Sequence, residues 1–195
     1  KDLLVKFDVP PLEYFWINET RFHPHSISYA FRFNNGYKIY SPHESDNKWY
    51  SNVGRDVIQG YSQLVKEGEI VFLTSSLKDV MCLEVLGYAS VALQSEMQMP
   101  SEDLIETLKE RFKKIIVFYD NDFGSELNPG QSMASKICSK FDLTNVYVPD
   151  LYLSKDISDL IKNRGLETAQ QVIIKEIWKI TNKSKLTKSY IDVPF

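Results

Sequence analysis

Apolar positions follow two patterns along this chain. Between residues 28 and 40 they alternate with polar ones. From residue 69 onward they form short unbroken runs separated by stripes of helical spacing. The clearest run, Ile115-Ile-Val-Phe-Tyr119, has no polar alternation, which predicts a strand covered on both faces at the centre of a parallel sheet. Residues 28–33 and 37–40 predict two alternating strands around a tight turn at Asn34-Asn35-Gly36. Residues 69–74 predict a buried strand, followed by a helix over 77–86 with Leu77, Val80, Met81 and Leu83 inward and Gly87 as its stop. Ser75-Ser76 supplies hydroxyls suited to capping that helix. A strand over 90–93, a helix over 101–113, the central strand, a helix over 131–141 and a strand over 145–148 follow. A short helix begins at 155–159, and another spans 168–180. Residues 183–188 read as a solvated linker, and 190–195 as a tail.

Strand alternating with helix predicts a parallel α/β sheet with right-handed crossovers. Such a sheet gathers its ligands at the carboxyl ends of its strands. Ser75 to Asp79, Glu96, Asp120 with Asp122, and Asp156 all follow strand ends, so they are expected on one edge. Two carboxylates ~4 Å apart repel by roughly 4 kcal/mol at an effective dielectric of about 20. A bound cation, a shared proton or solvent must offset that repulsion at Asp120-Asn121-Asp122. The plainer alternative is that these aspartates make Asx turns or cap the next helix. No nucleophile elbow, phosphate-cradling glycine loop or zinc-finger spacing occurs. Acidic groups at that edge therefore suggest divalent-metal chemistry on phosphates.

Composition narrows the class further. A chain of 195 residues, 43% hydrophobic and 25% charged, accommodates one sizeable globular domain and a small appendage. No apolar run reaches the ~18 residues a bilayer span needs, and no secretory signal pattern is present, so no membrane partner and a cytoplasmic location are expected. Cys82 and Cys138 fall in helical patterns and read as small core residues. The net charge of -3 exerts no global pull toward nucleic acid, so a local basic patch is required. Lys48-Trp49-Tyr50 interleaves charge and aromatics in the manner of a single-strand-binding surface. It fits equally well an edge strand whose aromatics cover a small core. His23-Pro24-His25 reads as a loop. The chain starts at Lys1, which suggests a piece of a larger protein.

Three blocks in order resemble the Toprim domain, the metal-binding module of bacterial primases, type IA and II topoisomerases and some nucleases. Leu73-Thr-Ser-Ser-Leu-Lys-Asp79 occupies the place of the family's first motif, usually Glu-Gly-x-x-Asp, and Asp79 matches its second acid. Asp120-Asn-Asp122 matches the central Asp-x-Asp. Gly130-Gln-Ser-Met-Ala resembles the glycine-led helix that follows, displaced by the insert 123–129. Lys155-Asp156-Ile-Ser-Asp159 resembles the acidic segment of primases. Upstream, Tyr37-Lys-Ile-Tyr-Ser-Pro42, Asn47-Lys-Trp and Ile58-Gln-Gly60 resemble the small subdomain that precedes Toprim in primase cores. Thr-Ser-Ser-Leu-Lys-Asp and Ala-Leu-Gln-Ser-Glu are most similar to primases of phages and prophages.

The resemblance implies an α+β N-terminal subdomain at 1–66, a Rossmann-like Toprim sheet flanked by helices at 67–165, and a C-terminal helix and tail at 166–195. It implies metal-dependent nucleotidyl transfer, making short RNA primers on single-stranded DNA in a bacterial host cell. Asp79, Asp120, Asp122 and Asp156 would hold Mg²⁺ or Mn²⁺. Lys38, Lys48, Arg55 and Lys78 are candidates for phosphate contacts, with Trp49 and Tyr50 as stacking surfaces. The template, ribonucleoside triphosphates and a replicative helicase would be its partners, with a zinc module before the core and a helicase after it. The chain departs from the pattern at one position, where Ser75 stands in place of the family's glutamate. A hydroxyl is neutral and a weak ligand for a hard cation. The site then works through metal-activated oxygens alone, takes its carboxylate from Glu96, or binds without turnover. The rival functions are a Toprim nuclease and a non-catalytic module that binds nucleic acid or the replisome.

Overall fold

The computed structural model describes residues 2–186, with side chains as far as 182. The chain opens with helix α1 (Asp2–Lys6), strand β1 (Pro11–Leu12) and the hairpin β2 (Phe15–Ile17) and β3 (Thr20–Phe22). Strands β4 (Ser28–Phe33), β5 (Gly36–Tyr40) and β6 (Trp49–Ser51) follow, and β1-β4-β5-β6 form an antiparallel sheet in that order. The turn expected at Asn34-Asn35 joins β4 to β5, with Phe33 opposite Gly36.

In this sheet the two-residue period decides which side chains can meet. The register sets Phe31 against Lys38 and Tyr40 against Trp49, so all four share one face. Phe31 and Tyr40 pack there with Phe7, Leu77, Val80 and Met81, joining this sheet to the rest of the molecule. Tyr50, the next residue after Trp49, must point the other way. It lies against Phe15 and Phe22, with ring centroids 5.5 and 5.7 Å away. Trp49 and Tyr50 therefore lie on opposite faces of the sheet.

The second sheet is built from β7 (Gly68–Thr74), α2 (Leu77–Val85), β8 (Ala89–Ala92), α3 (Glu102–Arg111), β9 (Phe112–Phe118), α4 (Pro129–Phe141), β10 (Thr144–Asn145) and α5 (Ile157–Leu186). All its strands are parallel, in the order β10-β9-β7-β8. Val71, Leu73, Ile115 and Val117 bury against α3 and α4, while Phe72, Ile116 and Phe118 bury against α2 and α5. Cover on both faces is why β7 and β9 read as apolar runs without alternation. Gln59 adds an antiparallel bridge to Ala92 at the β8 edge.

Several element boundaries differ from the sequence expectation. The helix over 101–113 ends at Arg111, and β9 starts at once with Phe112, whose ring fills the core. The expected strand over 145–148 is paired only at Thr144 and Asn145, although Val146 and Val148 are buried. The two final helices are one element, α5, broken at Gly165, whose φ of 83° and ψ of 167° are non-helical. Its face of Ala169, Val172 and Ile173 packs on the sheet. Helix α5 runs into the stretch expected as a linker, to Leu186. The rest of that linker and the tail at 190–195 lie outside the described residues. Among the described residues no helix is long and apolar enough to cross a membrane.

Candidate metal and nucleotide site

In the parallel sheet the chain runs from β7 outward to β8, then returns to β9 on the other side of β7 and continues to β10. The direction reverses between β7 and β9, and ligands of open α/β sheets bind at such a switch point. Ser75 and Asp79 follow β7 there, and Asp120 follows β9. The backbone N–H of Asn121 donates to the carbonyl of Lys155 at 2.7 Å, tying the Asp120 loop to the Asp156 loop. Asp79, Asp120 and Asp156 each offer one oxygen within 4.8 Å of the others, and all three residues are buried.

The hydroxyls expected to cap α2 do something else. Ser76 stands at the N-cap, but its hydroxyl accepts no hydrogen bond from the first-turn N–H groups. Its Oγ donates to Asp79 Oδ2 at 2.5 Å. Ser75 Oγ lies 2.6 Å from Asp120 Oδ1 and 3.1 Å from Asp79 Oδ2. A hydroxyl has one hydrogen, so it serves one of these carboxylates at a time. Ser75 thus links two acids and does not add a third.

Lys78, a candidate for phosphate contacts, is engaged by two acids of this edge. Its Nζ sits 3.0 Å from Asp79 Oδ1 and 2.6 Å from Asp156 Oδ2. Burial works against its charge, but the neighbouring carboxylates win and raise its pKa above the ordinary lysine range. Burial pushes the Asp79 carboxyl up to about 6, although Lys78 and Ser76 pull the other way. Burial also acts to raise Asp156, but Lys78, the Asp159 N–H and Ser158 outweigh it and hold it below the usual range.

Of this cluster Ser75, Lys78 and Asp120 open onto a cleft of about 400 Å³ that Lys38, Trp49, Glu96 and Lys155 also line. Lys38 donates to the Gln94 carbonyl at 2.8 Å and lies 4.9 Å from the centre of the Trp49 ring. Burial pushes its ammonium down to about 8. Trp49 stacks on Tyr40 at 4.3 Å and keeps 37% of its surface exposed, leaving an aromatic wall on the cleft. Lys48 and Arg55 are exposed and do not line it. Asp122 is half-buried and outside the close trio. Its backbone N–H is held by Asn128 Oδ1 at 3.1 Å.

Lys155 was given no role from the sequence, yet its Nζ lies 3.0 Å from Asp120 Oδ2. Its position directly before Asp156 was the available signal. Asn121, Asn128 and Gln131 were also missed. Asn128 Nδ2 donates to Asn121 Oδ1 at 2.8 Å, and Gln131 Nε2 donates to the carbonyls of Tyr119 and Asp120 at 3.1 and 3.0 Å. They brace the turn that carries Asp120.

Glu96 lies past β8, with its Oε1 buried and without a hydrogen-bond partner. Burial first, then the charges of Asp120 and Asp122, push its carboxyl up to about 7. The sign of the pH effect follows. Between the ordinary carboxylate value and about 7 the folded state holds the extra proton. Stability is therefore full below that window, falls as pH rises through it, and levels off above it. Glu96→Gln should gain roughly 1 kcal/mol above about pH 7, after discounting for the solvent that reaches this half-buried group. Thermal melts across the window check this, and part of the slope should persist because Asp79 titrates there too.

Gly130 opens α4 against this corner. A Cβ there would overlap the Asp120 carbonyl oxygen and Glu96 Oε1. Gly130→Ala should cost about 1–3 kcal/mol and shift Asp120, weakening any cation held by it. Melting temperature and Mn²⁺ affinity read the two effects.

Several solved structures share this architecture. The DnaG catalytic core superposes with a TM-score of 0.66 at 14% identity, over 89% of this chain and 68% of that one. The DnaG primase catalytic domain bound to single-stranded DNA gives 0.59 at 14%, over 87% and 69%. The primase fragment of the bacteriophage T7 primase-helicase gives 0.57 at 12%, over 91% and 70%. The fold is that of a primase-type Toprim core. No family model and no curated protein matches the chain. In this Toprim core the buried aspartate trio can hold a divalent metal, since carboxylate oxygens are the hard donors such ions prefer.

Proposed function

We propose that this chain is the catalytic core of a DNA primase, joining ribonucleotides into short primers on single-stranded DNA. The meeting of Asp79, Asp120 and Asp156 at the switch point of a primase-type fold carries the reading. On this reading residues 1–66 form the outer wall of the cleft, residues 67–165 the Toprim domain, and residues 166–195 the C-terminal helix and tail. The three aspartates, with Asp122 beside them, would hold Mg²⁺ or Mn²⁺. A bound ion supplies Lewis-acid stabilisation of the charge that develops on phosphate oxygens. Glu96, whose pKa of about 7 lies near working pH, takes or gives a proton in the cleft in place of the glutamate absent at Ser75. Lys38 and Lys155 attract nucleotide phosphates, and Trp49 stacks a base. Lys48 and Arg55 contact template phosphates outside the cleft. The DnaG domain bound to single-stranded DNA supports the choice of template, and the T7 primase-helicase supports a helicase partner.

Ser75 favours a second reading, a Toprim module that binds nucleic acid or a replication partner without turnover. Incubation with single-stranded DNA, ribonucleotides and Mn²⁺ separates the possibilities. New oligoribonucleotides establish the primase, and shortened DNA establishes a nuclease. Salt-sensitive DNA binding without product establishes the binding module.

A further inference from the structure

Lys78 is surrounded by acceptors. Its Nζ lies 3.0 Å from Asp79 Oδ1, 2.6 Å from Asp156 Oδ2 and 2.8 Å from Ser158 Oγ. An ammonium has three hydrogens, and each has a partner here. The two carboxylates are 1% and 4% exposed and could not both stay ionised without a cation beside them. Lys155 is held differently. Its Nζ has one carboxylate partner, Asp120 Oδ2 at 3.0 Å, and the side chain is 48% exposed, so it can swing into solvent at small cost. The acidic centre thus has two unlike halves. The Asp79–Asp156 side holds a resident cation, and the Asp120 side holds a displaceable one. With Lys78 in place and Lys155 swung away, Asp79, Asp120, Asp122 and Asp156 keep a net negative charge that attracts a divalent ion.

We propose that Lys78 is a built-in cation standing in for one divalent ion, so that the centre binds a single Mg²⁺ or Mn²⁺, on its Asp120 side. This rests on the metal-centre reading above and narrows it, since Lys78 already engages Asp79 and Asp156 and leaves Asp120 as the principal ligand. A second divalent ion would have to expel an ammonium with three satisfied donors, or sit beside it against direct charge repulsion. Lys155 offers no such obstacle.

Titration with Mn²⁺, followed by calorimetry and by electron paramagnetic resonance, tests the proposal on the parent, Lys78→Met and Lys155→Met. The parent should bind one ion and show the spectrum of an isolated Mn²⁺. Lys78→Met should bind two, with the spin coupling expected of ions about 4 Å apart. Lys155→Met should still bind one, about tenfold more tightly for want of a competing charge. Should Lys78→Met fail to fold, the parent's stoichiometry and the Lys155→Met result still decide. Two ions in the parent, or a second ion gained by Lys155→Met, overturns the proposal while leaving the metal centre standing. No binding in any of the three removes the metal centre and the proposal together.

Discussion

Asp120→Asn should abolish Mn²⁺ binding and leave the protein as stable as the parent, or slightly more so. Asp120 is 8% exposed and stands among the carboxylates of Asp79 and Asp156, so replacing its charge relieves repulsion in the folded state. Its partner Lys155 loses an ion pair but is half in solvent, and such pairs contribute roughly 0–1 kcal/mol. The amide keeps the shape and can still accept from Ser75 Oγ, now 2.6 Å from Asp120 Oδ1. What it loses is the anionic oxygen a hard cation requires. Any primer synthesis should fall by about 10²–10³-fold or more, the scale seen when one electrostatic contact to a developing charge is removed. Calorimetry with Mn²⁺ and thermal melting measure the two halves separately. Unchanged Mn²⁺ affinity would end the metal hypothesis, and a large loss of stability would make Asp120 a structural residue.

Ile116→Asp should unfold the protein. Ile116 is fully buried in β9, opposite Phe72 on β7 and Thr144 on β10, and packs against the α2 and α5 side of the sheet. A carboxylate there has neither cation nor donor and costs several kcal/mol, on top of the lost burial of the isoleucine. The whole stability of a domain is about 5–15 kcal/mol, so the native state should not survive. Circular dichroism should show no cooperative melting transition. Lys113→Asp on the same strand is the control. That side chain is 75% exposed and loses only a surface pair with Glu69, so the variant should remain folded. A folded Ile116→Asp variant would mean that β9 is not the central strand.

The helices and strands from residue 68 onward were legible because their signals are local. Burial on two faces removes polar alternation from β7 and β9 whatever lies beside them, Gly87 marks a helix end by its positive φ, and Ser101 marks a helix start by its side-chain cap. The approach of Asp79, Asp120 and Asp156 was legible for a related reason, since parallel strands with right-handed crossovers must send all their carboxyl ends to one edge. The separation of Trp49 from Tyr50 was also within reach of the sequence, as neighbours in a strand face opposite ways.

Strand order is not local. Nothing in the separate runs says that β9 returns to the far side of β7, although that return puts Asp120 beside Ser75. The roles of the lysines are less local still. Lys78, Lys155 and Lys48 are alike as residues, yet one is enclosed by two aspartates and a serine, one leans on Asp120, and one stands in solvent. The sequence by itself determined which segments are buried and which edge collects the acids, because hydrophobic period and chain handedness act over a few residues. Only the tertiary structure decided which acid meets which cation, because those energies depend on distances and burial set by segments up to 78 positions apart.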